Sequence, residues 1–198
     1  MNSIDAVVLA GGAASRLGGA DKALVEIAGR PLLSHVLAAL ATAGVDRPIV
    51  VGPRRELAGL EPPAGLDARW CREDPPGGGP VAGLAAALPL LTGEIVLVLG
   101  TDLPSIGPAL GPLRDACAGR RVAVLVDGSG RFNYVAAAWP RHVLAAALRR
   151  APAAGRSLRS VYADLELAQV VDAGGWSTDC DTWADVAQAR LRMEGSTT

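Results

Sequence analysis

Ile4-Asp5-Ala6-Val7-Val8-Leu9-Ala10-Gly11-Gly12-Ala13-Ala14-Ser15-Arg16-Leu17-Gly18-Gly19-Ala20-Asp21-Lys22 joins an aliphatic run to a glycine-rich segment that ends in a lysine. Ile4–Leu9 has the unbroken apolar character of a strand buried on both faces of a parallel sheet. Working outward, Pro31 opens a helix over 31–44, with apolar residues at helical spacing and Gly44 as the stop. Short strands are predicted at Pro48–Gly52 and Ala68–Arg72, then a helix from Pro80 to about Leu91 and a strand at Glu94–Leu99. The second half reads as a helix within Ile106–Cys117, strands at Val122–Val126 and Tyr134–Trp139, and helical segments at Arg141–Arg150 and Ser157–Ala163. A strand at Leu167–Val171 and a helix at Thr182–Arg192 complete it. Strands alternating with helices imply βαβ units, a three-layer Rossmann-like α/β fold and a mostly parallel sheet covered on both faces. Ligands of such sheets bind beyond the carboxyl ends of the strands. The chemistry is therefore sought just after Leu9, Arg72, Leu99 and Val171.

The chain has 198 residues, half of them hydrophobic, which suits a single domain (1–198) with a substantial core. Nineteen basic residues against twenty acidic ones lack the basic excess of a nucleic-acid binder. Cys71, Cys117 and Cys180 are far apart and form no CxxC pair, so neither a disulfide framework nor a zinc site is expected. The first apolar run is short, carries Asp5 and does not read as a signal peptide. Pro89, Thr92, Gly93 and Glu94 divide the apolar stretch Val81–Leu99 into pieces too short to span a bilayer, so a cytoplasmic protein without a membrane partner is expected.

Small residues in the Leu9–Lys22 segment let backbone N–H groups approach an anion closely, and Arg16 and Lys22 add positive charge beside them. The spacing is neither GxGxxG nor GxxxxGK[ST]. A second segment, Glu73-Asp74-Pro75-Pro76-Gly77-Gly78-Gly79-Pro80-Val81-Ala82-Gly83-Leu84, opens a helix with a side-chain-poor loop that can press against a flat base. In Leu99-Gly100-Thr101-Asp102-Leu103-Pro104 a carboxylate ends the most hydrophobic strand, where it is costly unless a charge meets it. Mg²⁺ on a triphosphate would do so, since it takes one or two protein carboxylates plus phosphate oxygens; alternatively Asp102 caps the next helix. Asp179 and Asp181, two residues apart in Ser177-Thr178-Asp179-Cys180-Asp181-Thr182, face one way if extended. Asp181 reads equally as the N-cap of the last helix. His35 and His142 lack metal-ligand neighbours, and Ser15 lacks triad partners.

The pattern LAGGxxxRLGGxDK resembles the signature of the molybdenum cofactor guanylyltransferases, members of the MobA-like NTP transferase family, and similar landmarks cover nearly the whole chain. The resemblance implies a nucleotide-diphospho-sugar-transferase-like fold with a mostly parallel, mixed sheet. It implies transfer of GMP from GTP to Mo-molybdopterin with loss of pyrophosphate, Mg²⁺ as cofactor, and transient contact with molybdoenzyme maturation proteins. Arg16, Lys22 and Asp102 fall on catalytic positions. Leu9, Ala10, Gly11, Gly12, Lys22, Gly52, Asp74, Gly79 and Asp102 fall on nucleotide positions, and Asp102 with Asp181 on metal positions. Gly52 departs from the family's frequent Asn, which leaves a backbone contact only. Asn133-Tyr134 departs from the family's polar-Pro pair facing the pterin, which bears on the acceptor. Arg156 and Arg159 either offer charge to the acceptor phosphate or form a solvated helix face. The alternatives are a CTP-dependent molybdopterin cytidylyltransferase, transfer to another phosphorylated acceptor, and a non-catalytic nucleotide-binding protein.

Overall fold

The computed structural model describes residues 3–11, 17–54, 65–150 and 152–195. The strands are β1 (Ile4–Leu9), a short hairpin β2 (Glu26–Ile27) and β3 (Arg30–Pro31), β4 (Ile49–Val51), β5 (Arg69–Cys71), β6 (Ile95–Gly100), β7 (Val122–Val126), β8 (Phe132–Pro140) and β9 (Leu167–Val171). The helices are α1 (Leu32–Thr42), α2 (Pro80–Ala87), α3 (Gly107–Ala116), α4 (Arg141–Arg149), α5 (Leu158–Val161) and α6 (Trp183–Gly195). The main sheet has the order β5-β4-β1-β6-β8-β7-β9. All neighbours are parallel except β8, which runs antiparallel to both β6 and β7. The expected mostly parallel, mixed sheet is what forms.

The reversed strand has a local cause. Only residues 127–131 separate β7 from β8, far too few for the crossover that a parallel neighbour needs. Asp127 closes the turn instead: its N–H donates to Arg131 O (3.0 Å), and its carboxylate accepts from the Ser129 and Arg131 N–H groups. The strand is longer at its start than its apolar pattern predicts. Residues 132 and 133 pair with β7 alone, after a register break between Val124 and Leu125.

Alternating side chains divide the core into two layers. Ala6, Val8, Leu97 and Leu99 pack with α1 and α3, whereas Val7, Val96, Val98 and Val124 pack with α2, α4 and α5. β6 is buried along its whole length. At about 1.5–3 kcal/mol for each fully buried Val or Leu, this central strand is a main source of stability. Asp5 does not interrupt the pattern, because its Oδ2 accepts the Thr92 and Gly93 N–H groups, each at 2.6 Å. A smaller third cluster, including Leu17, Ile27, Leu32, Cys180 and Val186, fastens α6 to the β2–β3 hairpin.

Two differences from the sequence reading have simple origins. The helix expected to reach Leu91 ends as α2 at Ala87 and tightens into a 3₁₀ turn over Leu88–Leu90, because Pro89 has no N–H to donate. The β2–β3 hairpin is too short for any periodicity and turns on Ala28 and Gly29, both with positive φ (48° and 72°). No helix among the described residues is long and apolar enough to cross a membrane.

Candidate active site

A cleft of about 640 Å³ opens at the carboxyl ends of β1, β4 and β6. Leu9, Ala10, Gly11 and Val51 form one part of its lining, Gly77, Gly79, Pro80 and Gly83 another, and Lys22, Asp102 and Asp181 a third. Three strand tips and the connection after β9 thus converge, although their residues are up to 172 positions apart.

The glycines have identifiable work. A methyl at Gly83 would lie 2.8 Å from Val51 Cγ1, so α2 rides directly on β4. Glycine within a helix costs about 1 kcal/mol relative to alanine, and close approach of helix to sheet accounts for it here. At Gly52 (φ 147°) a Cβ would meet the Ala10 carbonyl carbon and oxygen at 2.9 Å. Its N–H donates to Cys71 O (2.9 Å), and Ala10 N–H donates to Val51 O (2.8 Å). Gly52 therefore locks the tips of β1, β4 and β5 together and does not line the cleft. At Gly100 an added methyl would overlap Asp102 Oδ1 and lie 3.2 Å from Val135 Cγ2. The missing side chain there is the space into which the Asp102 carboxylate folds.

Asp102 does not cap the following helix, since α3 starts at Gly107 with no side-chain cap. Its Oδ2 accepts from Lys22 Nζ at 2.7 Å, and the same ammonium donates to Asp181 Oδ1. Lys22 stands in a 3₁₀ turn whose N-cap, Asp21, accepts the Ala23 N–H at 3.2 Å. Burial works against the Lys22 charge, but Asp102 and Asp181 outweigh it and hold its pKa above the ordinary lysine value. Asp102 Oδ1 is buried and has no hydrogen-bond partner among the described residues. An oxygen in that condition costs free energy unless a ligand meets it.

Thr182, not Asp181, is the N-cap of α6. Thr182 Oγ1 accepts the Asp185 N–H at 3.2 Å, while Asp185 Oδ2 accepts the Thr182 N–H and hydroxyl at 2.7 Å each. This reciprocal box settles the helix start and leaves Asp181 turned toward Lys22. Cys180 N–H donates to Asp102 O at 3.1 Å, which ties the two carboxylate-bearing segments together. Partial desolvation, then the Asp181 and Asp102 charges, hold the Asp179 carboxyl above the usual range; Asp179 does not line the cleft. Burial and Asp102 push the Cys180 thiol up to about 12, so it stays a neutral filler of the third cluster.

Of the sequence candidates, Leu9, Ala10, Gly11, Lys22, Gly79, Asp102 and Asp181 line the cleft, whereas Gly52 and Asp74 do not. Gly12 and Arg16 lie outside the described residues. Beside Asp74, which is exposed, it is Glu73 that lines the cleft, with Oε1 accepting the Gly77 N–H at 2.9 Å. Sequence reasoning also passed over Gly83 and Gly100, and a glycine at the end of the most apolar strand was the available signal. His35 has a structural place, with Nε2 2.8 Å from Ile27 O.

Asp102 and Asp181 meet one cation, and Asp102 Oδ1 has no hydrogen-bond partner among the described residues. Among the described residues no group of three His, Cys, Asp or Glu side chains could hold a metal. A pair of carboxylates fits Mg²⁺ delivered on a polyphosphate, whose oxygens complete the coordination, better than it fits an all-protein cage. Residues 6–170 match the MobA-like NTP transferase domain.

The chain belongs to the MobA-like NTP transferase family. Among its relatives is the molybdenum cofactor guanylyltransferase of Pseudomonas putida, 36% identical over 77% of this chain and 78% of that protein. The protein of that name from Acidiphilium cryptum is 36% identical over 68% and 66% of the two chains. Two solved structures share the fold: a nucleotidyl transferase from Methanothermobacter (TM-score 0.81, 24% identity, 99% and 100% coverage), and molybdopterin-guanine dinucleotide biosynthesis protein A from Archaeoglobus fulgidus (TM-score 0.68, 20% identity, 96% and 99% coverage). The MobA-like chain thus has the nucleotide-diphospho-sugar transferase fold of a nucleotidyltransferase.

Proposed function

We propose that this protein is a Mg²⁺-dependent molybdenum cofactor guanylyltransferase, transferring GMP from GTP to the terminal phosphate of Mo-molybdopterin with release of pyrophosphate. The observation that carries the reading is the Lys22–Asp102–Asp181 cluster at the strand tips, with a buried Asp102 oxygen that has no partner among the described residues. The names of the relatives supply the substrates.

Chemistry of this kind places few demands on proton transfer. The acceptor phosphate is already ionised at neutral pH and attacks the α-phosphorus in line, and the departing pyrophosphate takes the bond's electron pair. Positioning and charge neutralisation carry most of the rate. Lys22, held charged, lines the cleft with Ala10 and Gly11 and would face the polyphosphate there. Asp102 and Asp181 would hold the Mg²⁺, which when bound would neutralise phosphate charge. Gly77, Gly79 and Gly83 would present a wall without side chains to the base, with Val51 packed against Gly83.

Pyrophosphate release measured with GTP, CTP, ATP and UTP in turn, with molybdopterin present, tests the reading. Release with GTP well above the others is expected. Preference for CTP would make the enzyme a cytidylyltransferase. Binding without release from any triphosphate would reduce it to a nucleotide-binding protein.

A further inference from the structure

The connection from β9 to α6, residues 172–182, has no regular secondary structure, yet it must deliver Asp181 to the Lys22 ammonium. Free segments of that length have no fixed geometry, because ordering each residue costs about 1–2 kcal/mol of backbone entropy. The carboxylate of Asp172 supplies the order. Oδ1 accepts the Gly174 N–H (3.0 Å) and the Trp176 N–H (2.8 Å), and Oδ2 accepts the Ser177 N–H (2.8 Å) and hydroxyl (2.6 Å). The Asp172 N–H is itself held by Val126 O at 2.8 Å, so the anchor belongs to the sheet.

The turn gathered by Asp172 leads straight to the site. Asn133 Nδ2 donates to Ser177 O at 3.3 Å, while Asn133 Oδ1 accepts the N–H of Val135, a residue of the cleft wall. Arg192 Nη1 donates to Thr178 Oγ1 at 2.9 Å, and Cys180 N–H reaches Asp102 O. Held at 177, 178 and 180, the chain has little latitude in where it sets Asp181.

We propose that Asp172 is a positioning residue for the active site, fixing through Ser177 the segment that sets Asp181 beside Asp102, and that Asn133 is the second arm of this clamp. The inference rests on the reading of Asp102 and Asp181 as the Mg²⁺ carboxylates. It gives Asn133 a role on the enzyme's own framework, where the family pattern would place a residue facing the acceptor.

Outer partners of metal-binding side chains change metal affinity or activity by about 10–100-fold when removed. The test is Asp172→Asn in the full chain, measured by Mg²⁺ titration of pyrophosphate release and by Mn²⁺ binding in the presence of GTP. The metal concentration for half-maximal rate should rise about tenfold to a hundredfold. Excess metal should restore turnover, while GTP binding without metal stays as in the wild type. Ser177→Ala keeps the backbone donors and removes one hydroxyl, so it should shift metal dependence in the same direction by less. Because that variant disturbs the fold least, it decides the matter if Asp172→Asn fails to fold. A loss of thermal stability with unchanged metal dependence in the variants would overturn the proposal and leave Asp172 a loop anchor only. Absence of metal-dependent turnover in the wild type would instead sink the functional reading beneath it.

Discussion

Asp102, just beyond β6, and Asp172, just beyond β9, are carboxylates at corresponding strand tips, but their surroundings are opposite. Asp172 has both oxygens filled by N–H and hydroxyl donors of its own loop. Asp102 has one oxygen on a lysine and one buried without a partner among the described residues. A carboxylate saturated by backbone donors has no capacity left for a ligand and can only hold the chain. One left partly unsatisfied is a cost to the fold, of about 1–3 kcal/mol or more for a charged group. The cost makes sense where a ligand compensates it. On the proposed function, the contrast separates the residue that binds from the residue that places.

The largest expected consequence lies at the unsatisfied carboxylate. Asp102→Ala should lower metal-dependent pyrophosphate release by about 10²–10³-fold, the scale for losing one electrostatic element of a transition state. Near-normal turnover in that variant would erase the contrast. Lys22→Ala should come next. Losing a charged donor is worth about 1.5–3 kcal/mol, so triphosphate affinity should fall about tenfold to a hundredfold, with the far-ultraviolet circular dichroism unchanged. Equal GTP binding by equilibrium titration would show that Lys22 serves only to neutralise the carboxylates.

The smallest effect is one of stability and concerns Asp172 alone. Burial opposes its charge, but the Ser177 hydroxyl and the Ser177, Trp176 and Gly174 N–H groups lower its pKa to about 2, below the ordinary 3.8. A carboxyl depressed in the folded state stabilises above its unfolded pKa and loses that contribution as pH falls through the folded value. The excess stability of the wild type over Asp172→Asn should thus be full above about pH 4 and shrink toward pH 2. Denaturant midpoints of the two proteins across that range measure it, and a constant gap would mean that the charge is not what organises the turn.

Sequence pattern carried much of the architecture, because runs such as Ile4–Leu9 and Ile95–Gly100 are short, apolar and ended by glycines, as buried strands are. Glycine-rich Leu9–Lys22 and the Asp102 turn pointed to the cleft on local chemistry alone. Where neighbouring residues competed for one role, local chemistry was insufficient. Glu73 rather than Asp74 reaches the cleft, and Thr182 rather than Asp181 caps α6, because side-chain direction follows from the folded backbone, in which Glu73 meets the Gly77 N–H and Thr182 pairs with Asp185. The reversal of β8 follows from a short turn that was visible but whose pairing with β6 was not. The clamp at Asp172 left no pattern, since its donors are mostly backbone N–H groups that every sequence possesses.

What the sequence determined by itself was therefore the strands of the main sheet and the helices, the glycine-rich composition of the first loop and the lone carboxylate after β6. Each is written in contiguous residues. Tertiary structure alone decided that Lys22, Asp102 and Asp181 share one charge cluster, that Gly100 is the space for Asp102, and that Asp172 holds the loop. The first relation joins segments far apart in the chain, brought together by the order of strands in the sheet, whereas the other two are short-range contacts whose direction is fixed only once the backbone is folded.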